Sequence, residues 1–150
     1  MSVKKILAKI DFFSQLDKVQ IDEVAQHFVQ VSYKAGSCIF REGDIGNKFY
    51  IVKSGKVEIT KKISDELDTE AELQSFDNLD YFGEMSLIDN NPRSASAKAL
   101  TDVELLYIGK EDFLSISVSN PSIIFQLIRT MSYRLRHTNE QVESMLGNIL

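Results

Sequence analysis

Residues 41–60 read REGDIGNKFYIVKSGKVEIT, and this stretch decides the fold. Two alternating runs, Tyr50-Ile51-Val52 and Val57-Glu58-Ile59, flank Ser54-Gly55. A two-residue loop containing glycine supplies the positive φ that a tight hairpin turn demands. Working outward, Gly43 and Gly36 punctuate neighbouring runs in the same way. VQVSY (29–33), CIF (38–40), KFYIV (48–52) and KVEIT (56–60) are rich in Val, Ile, Phe and Tyr and alternate with period two. Further along, SASAKAL (94–100) and VELLYI (103–108) read as strands ending at Gly109. The charged segment SDELDTEAE (64–72) has no apolar face and is predicted to be an exposed loop.

Helical spacing brackets this region. Apolar residues three and four apart predict short helices at 3–10 and 21–28. After Gly109, KEDFLSISV predicts a helix, Asn120-Pro121 a break, and residues 121–148 a long final helix that Pro121 suits as its first residue. The order is thus two small helices, about eight short strands and two terminal helices. Without helical crossovers between strands, it predicts an α+β, mainly β architecture: an antiparallel, jelly-roll-like double-sheet β-roll flanked by helices. The 150 residues suit one domain, divided as 1–28, 29–109 and 110–150.

Composition narrows the function. A formal net charge of −5 is the wrong sign for a chain that wraps nucleic acid, so any anion site is local. The cluster Arg129, Arg134, Arg136 and His137 is accordingly read as the solvated side of the last helix. No apolar run approaches the ~20 residues of a membrane span. Lys9 and Asp11 break the opening stretch before it could serve as a signal peptide. A cytoplasmic protein without membrane contact is expected. The sole cysteine, Cys38, excludes an internal disulfide and is expected to be a small buried hydrophobe. His27 and His137 are too few for a histidine-carboxylate metal centre. No nucleophile triad or pair of catalytic carboxylates can be argued, so no enzyme is predicted.

The chemistry lies in residues 82–96, FGEMSLIDNNPRSAS. Gly83 precedes a short helical stretch at 84–89, whose first amides attract an anion, and it lets a ligand approach the main chain closely. Arg93 offers a planar cationic fork to two phosphate oxygens, stiffened by Pro92. Ser94 and Ser96 add hydroxyls, although in a regular strand they would point to one face and Arg93 to the other. Glu84 would repel a phosphate and so faces a sugar hydroxyl. One arginine matches a phosphodiester, and the GxxxxGK[ST] pattern of triphosphate sites is absent.

With its glycine-to-arginine spacing and the hairpins of 41–59, FGEMSL…NPRSAS resembles the phosphate-binding cassette of cyclic nucleotide-binding domains. These occur in protein kinase regulatory subunits, cyclic-nucleotide-gated channels and bacterial catabolite activators. The resemblance spans roughly residues 10 to 136. It implies that Glu84 takes the ribose 2′-OH and Arg93 the cyclic phosphate, with main-chain amides of Gly83, Met85, Ser86, Ser94 and Ala95 completing the cradle. Phe82 and Ser96 stand beside them, and a base-capping residue is expected on the last helix, near Tyr133 or Leu135. The family commonly has Gly-Asp ahead of the aromatic-FGE, whereas Leu79 precedes Asp80 here.

The ligand implied is cAMP or, second, cGMP, with no other cofactor. A hydroxyl at Ser94 is compatible with either base. The function implied is a sensor that transmits binding through its terminal helices. The alternatives are a docking or dimerisation module of the same fold that binds no ligand, and the sensor half of a transcription regulator. Ile128, Leu135, Val142 and Ile149 recur every seven residues, with Met131 and Met145 between them. This heptad implies a partner helix, for which a second copy of the chain is the candidate. The downstream effector is left open.

Overall fold

The computed structural model describes residues 1–64 and 69–149. Two short helices, α1 (Val3–Leu7) and α2 (Lys18–Ala25), flank a 3₁₀ turn at Asp11–Phe13. Eight strands follow: β1 (Val29–Tyr33), β2 (Cys38–Phe40), β3 (Lys48–Ser54), β4 (Val57–Ser64), β5 (Thr69–Phe76), β6 (Tyr81–Phe82), β7 (Ser96–Ala99) and β8 (Val103–Gly109). A 3₁₀ turn at Glu84–Leu87 separates β6 from β7, and α3 (Lys110–Ser119) and α4 (Pro121–Ile149) close the fold. The strands form two four-stranded antiparallel sheets in the orders β1-β8-β3-β6 and β2-β7-β4-β5. This is the double-sheet roll expected from the glycine-turned runs, and Gly36, Gly43 and Gly55 all have positive φ.

Alternation along β3 and β8 explains where the core sits. Phe49, Ile51, Leu106 and Ile108 point outward to the helices, joining Phe12, Phe13, Phe113 and Ile123 in one cluster. Tyr50, Val52, Val103 and Leu105 point inward to Val57, Phe82 and Ala97 in a second. Burial of each large side chain contributes about 1.5–3 kcal/mol. The first sheet is therefore buried on both faces, and the second only on its inner one.

Four expectations need correction. The first helix ends at Leu7, and Ile10 is extended at φ −91° and ψ 135°, which lets Phe12 and Phe13 turn onto the sheet. The second spans Lys18–Ala25 because Asp17 and Gln20 form a capping box, Asp17 Oδ1 accepting from the Gln20 N–H at 2.8 Å and Gln20 Oε1 from the Asp17 N–H at 2.9 Å. Of the predicted loop 64–72, Ser64 and residues 69–72 belong to strands, since β5 pairs along β4; residues 65–68 lie outside those described. Cys38 is only half-buried, its thiol directed to the Phe40 carbonyl at 3.2 Å.

The departure at Leu79 is absorbed by the backbone. Leu79 adopts φ 71°, a left-handed conformation that costs roughly 1–2 kcal/mol in a residue with a Cβ. Hydrogen bonds hold it there: Leu79 N–H to the Val52 carbonyl and Val52 N–H to that of Asp80, both 2.8 Å. The leucine side chain packs against the outer core.

Candidate functional site

The strand-to-turn junction at Gly83 sets the site. Gly83 has φ 85° and ψ 8°, and a Cβ there would lie 2.8 Å from Arg93 Nη1 and 3.0 Å from the Lys48 carbonyl. Only glycine meets both the conformation and the close approach. The turn that follows is a single 3₁₀ stretch rather than an α-helix; it buries Glu84, Ser86 and Leu87 and leaves Met85 exposed.

Arg93 is only 7% exposed. Its Nη2 donates to the Lys48 carbonyl at 2.8 Å, and its Nη1 to Ser86 Oγ at 3.0 Å and the Gly83 carbonyl at 3.4 Å. The guanidinium lies 4.1 Å over the Phe40 ring. Burial lowers its pKa from the ordinary arginine value, against the opposing pull of Tyr50 and Asp44. The segment 41–47 fixes its backbone: Arg93 N–H donates to the Asp44 carbonyl and Gly43 N–H to the Arg93 carbonyl, both at 2.8 Å, and Ile45 bridges to Pro92. Residues 93–95 lie outside regular strand, which resolves the facing problem of Ser94 and Ser96.

Glu84 is 2% exposed, and its Oε1 is ion-paired with Arg134 Nη1 from α4. Arg93 Nε is buried and makes no hydrogen bond among the described residues. Glu84 and Arg93 line one cavity of about 390 Å³, within the range of small-molecule sites. Its walls have distinct chemistry. The cassette, from Gly83 to Ala95, supplies the polar side; Phe40, Ile59, Phe76 and Phe82 supply an apolar one.

Phe82, Gly83, Glu84, Met85, Ser86, Arg93, Ser94 and Ala95 thus share the cavity. Ser94 is exposed, and its carbonyl accepts from Lys61 Nζ at 3.2 Å. Ser96 is not among the lining residues: its Oγ accepts the Glu42 N–H at 2.9 Å and pins the 41–47 segment. Tyr133 also lies elsewhere, 70% exposed, facing a separate groove of about 820 Å³ beside Asp11 and Arg129 and stacked on His137. Leu135 borders an apolar groove between α3 and α4.

Four contributors were not read beforehand. Arg134, expected on the solvated side of α4, reaches the cavity and meets Glu84; its spacing from Ile123, Leu127 and Met131, at i+3 or i+4 steps, marks the inner stripe and could have revealed it. Gly46 packs so closely that a Cβ would sit 2.2 Å from Ser86 Oγ and 2.9 Å from Arg93 Nε. Leu73 and Gln74 of β5 also line the cavity, just beyond the segment 64–72 expected to be loop.

The antiparallel roll thus places a buried arginine and a buried carboxylate around one cavity. The chain belongs to the cyclic nucleotide-binding domain family, whose sequence model matches residues 30–120. It is 31% identical over 142 residues to the CRP-like cAMP-activated global transcriptional regulator of Mycobacterium tuberculosis, covering 95% of this chain and 62% of that protein. It is 36% identical over 107 residues to the cAMP-dependent protein kinase regulatory subunit of Aspergillus fumigatus, covering 71% of this chain and 25% of the subunit. The crystal structure of the Thermus thermophilus catabolite activator protein superposes with a TM-score of 0.82 at 32% identity, covering 90% of this chain and 62% of that one. The chain therefore spans between a quarter and two thirds of the length of these relatives. Among the described residues, no helix is long and apolar enough to cross a membrane.

Proposed function

We propose that the chain is a cyclic-nucleotide sensor, with cAMP as the preferred ligand, that binds without catalysing a reaction. The observation that carries this reading is that the buried Glu84 carboxylate and the buried Arg93 guanidinium line one cavity, with Arg93 Nε making no hydrogen bond. A buried polar group left unsatisfied costs about 1–3 kcal/mol and more when charged, and a ligand phosphate accepting from Arg93 Nε recovers that loss. Arg93 would neutralise the single phosphodiester charge, and Glu84 would accept the ribose 2′-OH. The amides of Gly83, Met85, Ser86, Ser94 and Ala95 would complete the cradle. The preference for cAMP rests on the names of the relatives above.

Transmission would run through α4. Arg134 holds the carboxylate that the ribose hydroxyl would take, so ligand and helix share one acceptor. A ligand that favours one arrangement of this contact shifts the helix by that difference in affinity. Beyond Arg134 the side chains of 135–147 are exposed, among them Leu135, Val142 and Met145. Paired with a second copy, they would form a coiled-coil seam. Met131 is not part of that seam, because it packs against the domain's own core.

Calorimetric titration with cAMP and cGMP tests the reading. Saturable binding, weakened by Arg93→Ala by about 2–5 kcal/mol, or roughly 30- to several-thousand-fold, is expected. Equal binding by Arg93→Ala and parent, or no binding of either nucleotide by the parent, would overturn it.

A further inference from the structure

Lys110 is the first residue of α3, where a cation opposes the helix dipole and the succeeding Glu111 and Asp112 suit it. Helix stability does not account for a lysine there. Its side chain instead spans to the cassette, Nζ donating to Asn90 Oδ1 at 2.8 Å and to the Asp89 carbonyl at 3.2 Å. Its backbone N–H donates to the Asn47 carbonyl at 2.9 Å.

These acceptors end the two segments that hold the site's charged groups. Asp89 lines the cavity, its N–H donates to the Met85 carbonyl at 3.2 Å, and its Oδ1 accepts the Asn91 N–H at 3.2 Å. Asn47 follows Gly46, which is packed on Ser86 and Arg93. One residue thus joins the exit of the Glu84–Leu87 turn and the 41–47 segment to the start of α3. From there Phe113 and Leu87 share the outer core, and α3 packs on α4.

We propose that Lys110 is a positioning residue that ties the cassette to α3, so that movement of the turn on ligand binding is handed to the helices. The proposal rests on the cyclic-nucleotide reading for its second half only. Two hydrogen bonds to neutral oxygens suffice for a tie that yields when the turn moves, where a buried ion pair would lock it.

Hydrogen-exchange mass spectrometry on the 150-residue chain tests both halves. Without nucleotide, Lys110→Met and Asn90→Ala should each speed exchange in residues 88–93, and Lys110→Arg should keep it near the parent rate. Parent-like exchange in both disrupting variants would overturn the tie, whatever the ligand. With saturating cAMP, Lys110→Met should retain affinity within about tenfold yet lose most of the ligand-induced change across 110–119. An undiminished change there would overturn the role in transmission. Should Lys110→Met fail to fold, the exposed Asn90→Ala carries the same comparison. Failure of the parent to bind cAMP or cGMP would defeat the functional reading and the transmission half, while leaving the nucleotide-free arm to decide the tie.

Discussion

Arg134, on the inner face of α4, is ion-paired with Glu84, whose carboxylate is buried in the turn that opens the cassette. Removing the cation strands a buried negative charge, though the 41% exposure of the arginine side chain lets water screen it. Arg134→Ala should therefore lower stability by about 1–3 kcal/mol, less than for a fully buried pair. Adding Glu84→Gln should recover much of that loss. Urea unfolding of the two single variants and the double variant gives the coupling, and strict additivity would show that the contact carries no energy.

Gly46 leaves no room for a methyl group against Ser86 and Arg93. Gly46→Ala should cost about 1–3 kcal/mol, as overpacking does, and should weaken cyclic-nucleotide binding because the guanidinium must shift. Thermal melts and calorimetry report the two effects. A variant with parental stability and affinity would mean that the 45–47 segment relaxes freely.

Tyr50, 4% exposed between the sheets, has its pKa raised from 10.0 to about 12, chiefly by burial. Below the unfolded value of 10.0 the phenol is neutral in both states, and its contribution to stability is fully present. As pH rises from there toward about 12, the unfolded chain loses the proton first and stability falls. The loss should approach about 2 kcal/mol. Urea midpoints between about pH 9 and pH 11 should decline less steeply in Tyr50→Phe than in the parent; parallel slopes would exclude Tyr50 as the source.

Leu135 and Val142 are 65% and 48% exposed on the free half of α4, a helix of about 43 Å at 1.5 Å per residue. If they form a seam between two copies, Leu135→Glu with Val142→Glu should convert a dimer to a monomer in sedimentation while leaving the roll's melting temperature nearly unchanged. A monomeric parent would remove the seam from the account.

The hairpins were legible because inward and outward residues contrast sharply around positive-φ glycines. The cassette was legible because its polar groups occupy one short stretch. β5 was not: TEAELQSF is exposed at most positions, so its alternation carries almost no contrast in polarity. Arg134 was misread for a related reason. On a helix whose polar stripe faces solvent, a cation directed into a cavity mouth looks like its solvated neighbours, and the carboxylate that draws it in lies on a distant segment. The capping box at Asp17 and Gln20 was open to reading from its D-x-x-Q pattern and would have placed the start of α2.

The two cores share the β1-β8-β3-β6 sheet but few side chains otherwise, the helices adhering to one face and the second sheet to the other. Such a partition gives the molecule two separately adjustable cohesive layers. A shift of the helical coat would disturb the outer layer directly and would reach the inner laminate only through the strands the two layers have in common.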